Sequence, residues 1–174
     1  FADTGAYLVT TATPIWTGEV NLATNSTITA AANATISGPI TGPGGLTKLG
    51  NSQLALQGSN TYTGTTTVTA GTLNLQGAGN LRDGTTAGIV VNVNSGGSNA
   101  TLTLDNTAGL GGSTFGAYIA DRLGDNIPIT LNGGTLSYLN STSIAPGMVN
   151  VESVGPISLT GGNSIIQIQT GNIT

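Results

Sequence analysis

The sequence predicts an all-β fold of the β-solenoid type, a stack of coils whose strands lie parallel above one another. Apolar residues recur at a spacing of two in short runs, which is the pattern of half-buried strands. Gly, Asn, Asp, Ser and Pro fill the gaps between these runs and favour tight turns. Charged residues make up only 6% of the chain. Low charge favours stacking, because like side chains then lie about 4.8 Å apart, where charges repel and Thr or Asn ladders can form hydrogen bonds.

Each expected strand is marked by a pair or triplet of alternating apolar residues. In chain order these are Val20/Leu22, Ile28/Ala30, Leu54/Leu56, Val68/Ala70, Leu73/Leu75, Ile89/Val91/Val93, Leu102/Leu104, Ile127/Ile129/Leu131, Leu136/Tyr138, Val149/Val151, Ile157/Leu159 and Ile166/Ile168. No long amphipathic helical pattern occurs, and a single helical turn is plausible only over Ala117–Leu123.

An antiparallel β-sandwich is the alternative fold, since strands that start roughly every 8–12 residues suit either architecture. The segments Thr69–Thr72 and Leu131–Thr135 could be hairpin turns of such a sandwich. The low aromatic content, 4%, and the uncharged strand faces favour the solenoid. In a solenoid we expect eleven side chains to point inward: Leu54, Leu56, Val68, Leu73, Leu75, Leu102, Leu104, Ile129, Leu131, Ile157 and Leu159.

Composition excludes several classes of function. Lys48, Arg82 and Arg122 are the only basic residues and the net charge is −4, so the chain offers no electrostatic footprint for nucleic acid or anionic lipid. The longest apolar run, Ile89–Val93, is far shorter than the roughly 20 residues that cross a bilayer. Absence of Cys excludes thiol chemistry, and absence of His removes the commonest general base and zinc ligand. The opening Phe1–Gly5 has no signal-peptide pattern, so we expect a mature or excised portion of an exported protein.

Residues Gly44–Gly77 contain three short motifs in order within one repeat length: Gly-Gly-Leu-Thr-Lys (44–48), Asn-Thr-Tyr-Thr-Gly (60–64) and Ala-Gly-Thr-Leu (70–73). This segment closely resembles the autotransporter-associated β-strand repeat of bacterial passenger and surface proteins. The resemblance implies a right-handed parallel β-helix, export, a role as a stalk or display scaffold, and no catalytic residues. We therefore predict one β-solenoid domain over 1–174, with divergent coils at 1–43, the clear repeat at 44–77 and degenerate coils at 78–174.

The densest group of charged residues is Asp121, Arg122 and Asp125. Two carboxylates beside a guanidinium are what glycoside chemistry or a calcium site would need. The other interpretation is a turn in which Asp121 caps or pairs with Arg122. The solenoid calcium motif Gly-Gly-x-Gly-x-Asp is absent, so we expect no catalytic, cofactor-binding or metal-binding residues and no cofactor. Tyr62 is expected to pack into a corner of the coil.

The predicted function is a non-enzymatic structural segment of a bacterial extracellular or cell-surface protein, serving as a stalk, display scaffold or adhesin. One alternative is a self-assembling subunit of an extracellular filament or matrix, whose joint would use residues 1–43 or the strand Ile165–Gln169 as edge donors. A second is a polysaccharide-binding or polysaccharide-cleaving β-helix. The expected partners are copies of the chain, adjoining segments of a longer surface protein, and host or matrix glycans.

Overall fold

A computed structural model of the chain describes residues 6–8, 13–82, 86–93, 97, 99–107, 119, 121–141 and 151–171. These residues contain eighteen strands and no helix, and hence no helix long and apolar enough to cross a membrane. The strands are β1 (Ala6–Leu8), β2 (Ile15–Trp16), β3 (Val20–Asn21), β4 (Ser26–Ala30), β5 (Ala34–Ile36), β6 (Ile40–Thr41), β7 (Leu46–Leu49), β8 (Gln53–Leu56), β9 (Ser59–Asn60), β10 (Thr66–Val68), β11 (Thr72–Leu75), β12 (Asn80–Leu81), β13 (Ile89–Asn92), β14 (Thr101–Asp105), β15 (Ile129–Asn132), β16 (Thr135–Ser141), β17 (Ile157–Gly161) and β18 (Ile165–Gly171).

The strands form a solenoid with three faces. Face 1 is a seven-stranded sheet in the order β1-β4-β7-β10-β13-β15-β17, and face 2 is a seven-stranded sheet in the order β2-β5-β8-β11-β14-β16-β18. Face 3 is narrower and consists of the pairs β3-β6 and β9-β12, continued by a parallel bridge from Leu81 to Leu123. Every pair of named strands is parallel. The predicted parallel β-helix is therefore confirmed, and the antiparallel sandwich is wrong.

The early coils are regular and the later ones carry insertions. On face 1, Ser26 pairs with Leu46 and Leu46 with Thr66, a step of 20 residues each time. The step grows to 40 residues where Ile89 pairs with Ile129, so about one coil length of extra chain lies between these strands. The degenerate sequence after the repeat thus reflects insertions between coils, while the strand register is kept apart from a shift between Leu131 and Asn132 where β15 pairs with β17.

The two segments that resembled hairpin turns are corners between faces. Thr69–Thr72 leads from β10 on face 1 to β11 on face 2, and Leu131–Thr135 leads from β15 to β16. Gly71 at φ +62° and Gly133 at φ +75° supply the left-handed conformation that each corner requires. A hairpin would have paired the flanking strands with each other, whereas these strands pair with the coils above and below.

The core is a set of inward columns in which each apolar side chain stacks on its register partner in the next coil. One face 2 column shows the pattern and runs Trp16, Ile36, Leu56, Leu75, Leu104, Tyr138, Ile168. Nine of the eleven predicted core residues are at most 1% exposed. The prediction is wrong for Leu159, which is 62% exposed, and Ile157 is only half-buried. Both lie on β17, the last strand of face 1, where a side chain has a stacking neighbour on one side only.

Two further sequence predictions fail or fall outside the described residues. Val151 is exposed and lies outside any strand, so the strand expected at Val149/Val151 is wrong at that residue, and Val149 lies outside the described residues. Ala117, Tyr118 and Ala120 of the helical turn expected over Ala117–Leu123 are also outside them. The described residues of this stretch are not helical, and Leu123 forms the bridge on face 3. Short strands such as β6, β9 and β12 escaped the sequence analysis because two residues show no alternation.

Candidate functional site

Arg122 is the centre of the predicted acidic and basic group, and its side chain is fully buried. Its guanidinium donates from Nε to Asn106 Oδ1 at 2.6 Å, from one terminal nitrogen to the Gly79 carbonyl at 2.6 Å, and from the other to the Asp105 carbonyl at 2.9 Å. Burial lowers the pKa of Arg122 to about 10, while the nearby charges of Asp105 and Glu152 act in the opposite direction. The guanidinium thus fastens the segment after Asp105 to the preceding coil.

Glu152 holds the other side of the same segment. Its two carboxylate oxygens accept the backbone N–H groups of Arg122 at 3.0 Å and of Leu123 at 2.8 Å. Burial raises the pKa of Glu152, and the two N–H donors partly counteract this effect. Sequence analysis missed this role, since Glu152 lies about thirty residues from the groups it binds and no local motif marks it.

The remaining carboxylates that are described do not form a common site. Asp125 is exposed, and Asp105 accepts a hydrogen bond from the Thr107 backbone at 2.9 Å. Asp121 adopts a φ of +70°, the left-handed conformation that Asp tolerates better than most residues. Over the described ranges, no three Asp or Glu side chains lie together as a metal ion would require.

A small cavity opens at the end of the stack that carries β17 and β18. It has a volume of about 110 Å³ and is lined by Leu104, Leu136, Tyr138, Glu152, Val154, Ile157, Ile166, Gln167 and Ile168. Pockets for small-molecule ligands usually measure roughly 300–1,000 Å³. The cavity is the open interior of the last coil, and Glu152 contributes the one carboxyl group among its lining residues.

The aromatic residues do not form a sugar-stacking platform within the described part of the chain. Tyr62 is fully buried, as expected for a corner-packing residue, and its hydroxyl lies 2.7 Å from Thr66 Oγ1. Trp16 is 55% exposed at one end of the stack, whereas Tyr138 lies near the other end. Tyr118 lies outside the described residues.

Lys48 has a role that sequence analysis did not predict. Its side chain points inward from face 1 in the column Ile28, Lys48, Val68 and is fully buried. The ammonium donates to the carbonyls of Gly50 and Ser52 at 2.6 Å and of Ala70 at 2.8 Å. Burial lowers the pKa of Lys48 to about 8, so the group is still charged at neutral pH. One lysine therefore satisfies the corner of its own coil and ties it to the corner of the next.

Asn60 performs the same kind of bridging on face 3. Its Oδ1 accepts the backbone N–H of Ile40 at 3.1 Å, and its Nδ2 donates to the Asn80 carbonyl at 3.2 Å. Asn60 is only 1% exposed. A single buried amide thus links three successive coils, which explains why Asn begins the motif at 60–64.

The glycines of the motifs allow neighbouring coils to approach closely. A Cβ atom on Gly44 would lie 2.0 Å from the carbonyl oxygen of Thr24, and one on Gly64 would lie 2.2 Å from the nitrogen of Gly45. Neither distance is possible for real atoms, so these positions exclude any side chain. The residues that carry the family resemblance are therefore the residues by which one coil stacks on the next.

Comparison with known proteins agrees with this geometry. No curated protein and no solved structure gives a significant match to the chain. One family model does match, over residues 46–75, which span β7 to β11 and contain Lys48, Asn60 and Tyr62. That model describes the passenger-associated-transport-repeat, so about a sixth of the chain, the stretch from β7 to β11, is similar to this repeat.

Proposed function

We propose that the chain is a non-enzymatic structural segment of a bacterial extracellular or cell-surface protein, in which it serves as a stalk or display scaffold. The observation that carries the proposal is the use of the repeat's signature residues. Lys48, Asn60, Tyr62 and Gly64 all make contacts between or within coils and present no reactive group to solvent. A repeat built in this way supplies length and rigidity.

A spacer should change length in proportion to its number of coils. Residues 46–65 form one coil in a register of 20 residues, so tandem copies can be inserted without altering the pairing on either side. Three extra copies should lengthen the particle by about 14 Å, at about 4.8 Å per coil. Small-angle scattering measures this length. An insert of residues 46–55 is the matched control, because half a coil breaks the register and should unfold the protein.

The polysaccharide-cleaving alternative is tested separately. Incubation with pectin, alginate and β-glucans should release no reducing ends, because the carboxylates of Glu152 and Asp105 are occupied by backbone N–H groups. Turnover that disappears in Asp121→Asn or Asp125→Asn would contradict the structural role. Export is tested by protease treatment of intact cells, which should digest the protein if it is displayed at the surface.

Self-assembly is the second candidate, and one observation favours it. Within the part of the chain that the structure describes, the terminal strands of the two long sheets pair on one side only, and large apolar side chains are exposed there. Adhesion and glycan binding have no comparable support in the described residues and stay predictions.

A further inference from the structure

The two ends of the solenoid are complementary to each other. β1 and β2 form the edges of faces 1 and 2 at one end, and β17 and β18 form the edges at the opposite end. Because all strands run parallel, the outer edge of β2 in one copy can pair with the outer edge of β18 in another, in the same parallel hydrogen-bond pattern that joins neighbouring coils. An unblocked edge of this type is a template for pairing with another chain.

The inward columns emerge at both ends. In the face 2 column that begins at Trp16 and ends at Ile168, the members from Ile36 to Leu104 are at most 4% exposed, but Trp16 is 55% and Ile168 77% exposed. Leu159 ends a column of face 1 and is 62% exposed. The cavity of about 110 Å³ lies directly inside β18 and is apolar apart from Glu152 and Gln167. Among the described residues, each end therefore exposes apolar side chains from positions that the interior coils bury.

Charge does not protect these edges. The sequences of β1, β2, β17 and β18 contain no Asp, Glu, Lys or Arg. Edge strands that avoid pairing usually carry a charge or a proline within the strand. The two ends can meet without burying an ionised side chain of these strands.

We propose that a second copy of the chain docks head to tail, with its β1 and β2 continuing the sheets of β17 and β18. Trp16 of the incoming copy then lies in register with Ile168, as Trp16 lies in register with Ile36 within its own chain. This joint rests on the structural role proposed above, and its partner is an identical chain. It makes the stalk a repeating filament.

The backbone shows which atoms form the joint. The Ile165 N–H donates to the Gly134 carbonyl at 3.0 Å, so the backbone N–H and C=O groups of Ile165 point toward the preceding coil. Alternation along the strand then directs the N–H and C=O groups of Ile166 and Ile168 to the free edge. A proline at Ile168 removes an edge donor and leaves the pairing of β18 with β16 intact.

Sedimentation velocity over a wide range of protein concentration tests the joint. Wild type should form linear oligomers, and Ile168→Pro should raise the concentration needed by about tenfold for the lost hydrogen bond and packing. Ile168→Lys should raise it by more than about a hundredfold, because it would bury an unpaired charge. Thr47→Lys is the matched control, since it adds the same charge to an outward position of β7, far from both ends, and should associate like wild type.

A wild-type chain that stays monomeric at millimolar concentration would overturn the joint, and so would oligomers that Ile168→Lys does not weaken. Circular dichroism of each variant establishes that the fold is kept. These outcomes leave the spacer role untouched, because that role is measured by the length of the monomer. A particle whose length ignores inserted coils would contradict the spacer role without bearing on association.

Discussion

Replacing Lys48 by Met should destabilise the protein by about 3 kcal/mol. Met keeps the length of the side chain but leaves the carbonyls of Gly50 and Ala70 without the one donor described for each, whereas Ser52 also accepts the Thr72 N–H at 3.4 Å. Three hydrogen bonds from a charged donor contribute about 4–9 kcal/mol. Against this stands the cost of burying the ammonium. Burial lowers the pKa of Lys48 to about 8, so this cost offsets part of the gain and places the net loss below that range.

Urea unfolding at pH 7, followed by far-ultraviolet circular dichroism, measures this difference. With a slope of about 2 kcal/mol per molar urea, the midpoint of Lys48→Met should fall by about 1.5 M. Thr47→Met is the matched control, because Thr47 is next to Lys48 on β7 but its side chain points outward. This substitution should change the free energy of unfolding by less than about 0.5 kcal/mol. A Lys48→Met protein as stable as wild type would refute the idea that the ammonium holds the two corners together.

The pH dependence gives an independent test of the same residue. Between pH 8 and 10.5 the folded Lys48 has lost its proton while the unfolded one keeps it. The unfolded state then binds more protons, so the stability of wild type should rise with pH in this window. Lys48→Met should lack this rise. An identical pH profile for both proteins would show that Lys48 keeps its ordinary pKa in the fold.

Three further substitutions test the stacking contacts. Asn60→Leu removes the side-chain partner of the Ile40 N–H and of the Asn80 carbonyl, and should lower the free energy of unfolding in urea by about 2–4 kcal/mol. The control Asn21→Leu, at an exposed position, should lower it by less than about 0.5 kcal/mol. Equal costs would contradict the bridging role of Asn60. Gly44→Ala should cost more than about 3 kcal/mol, because the added carbon meets the Thr24 carbonyl at 2.0 Å, whereas Gly88→Ala, with its nearest neighbour at 3.5 Å, should cost less than about 1 kcal/mol. Burial raises the pKa of Tyr62, so above pH 10 only the unfolded state loses the phenolic proton, and the free energy of unfolding should fall. Tyr62→Phe should remove this fall and cost about 1 kcal/mol for the lost hydrogen bond to Thr66. An alkaline stability profile that is the same in both proteins would contradict the raised pKa.

The sequence was sufficient for the fold because a solenoid repeats one local rule. Alternation places Leu54 and Leu56 inward, and the same rule applied to Leu73, Leu75, Leu102 and Leu104 gives columns that coincide in register. The alternation rule failed at Leu159 because it predicts only whether a side chain points inward or outward, whereas burial also requires a neighbouring coil on each side. Position within the stack is a property of the whole chain, and no window around Leu159 contains it.

The polar residues were less predictable for a related reason. Lys48 occupies an inward position of β7, and the usual rule that a charge points to solvent would assign it outward. The rule is overridden because a corner between two faces leaves backbone carbonyls inside the coil, and a long cation reaches three of them at once. Arg122 answers the same need where an insertion leaves the carbonyls of Gly79 and Asp105 inside. Two of the three basic residues of the chain are thus buried at carbonyl clusters, where they join neighbouring coils. The few basic residues therefore contribute even less positive surface charge than their number indicates.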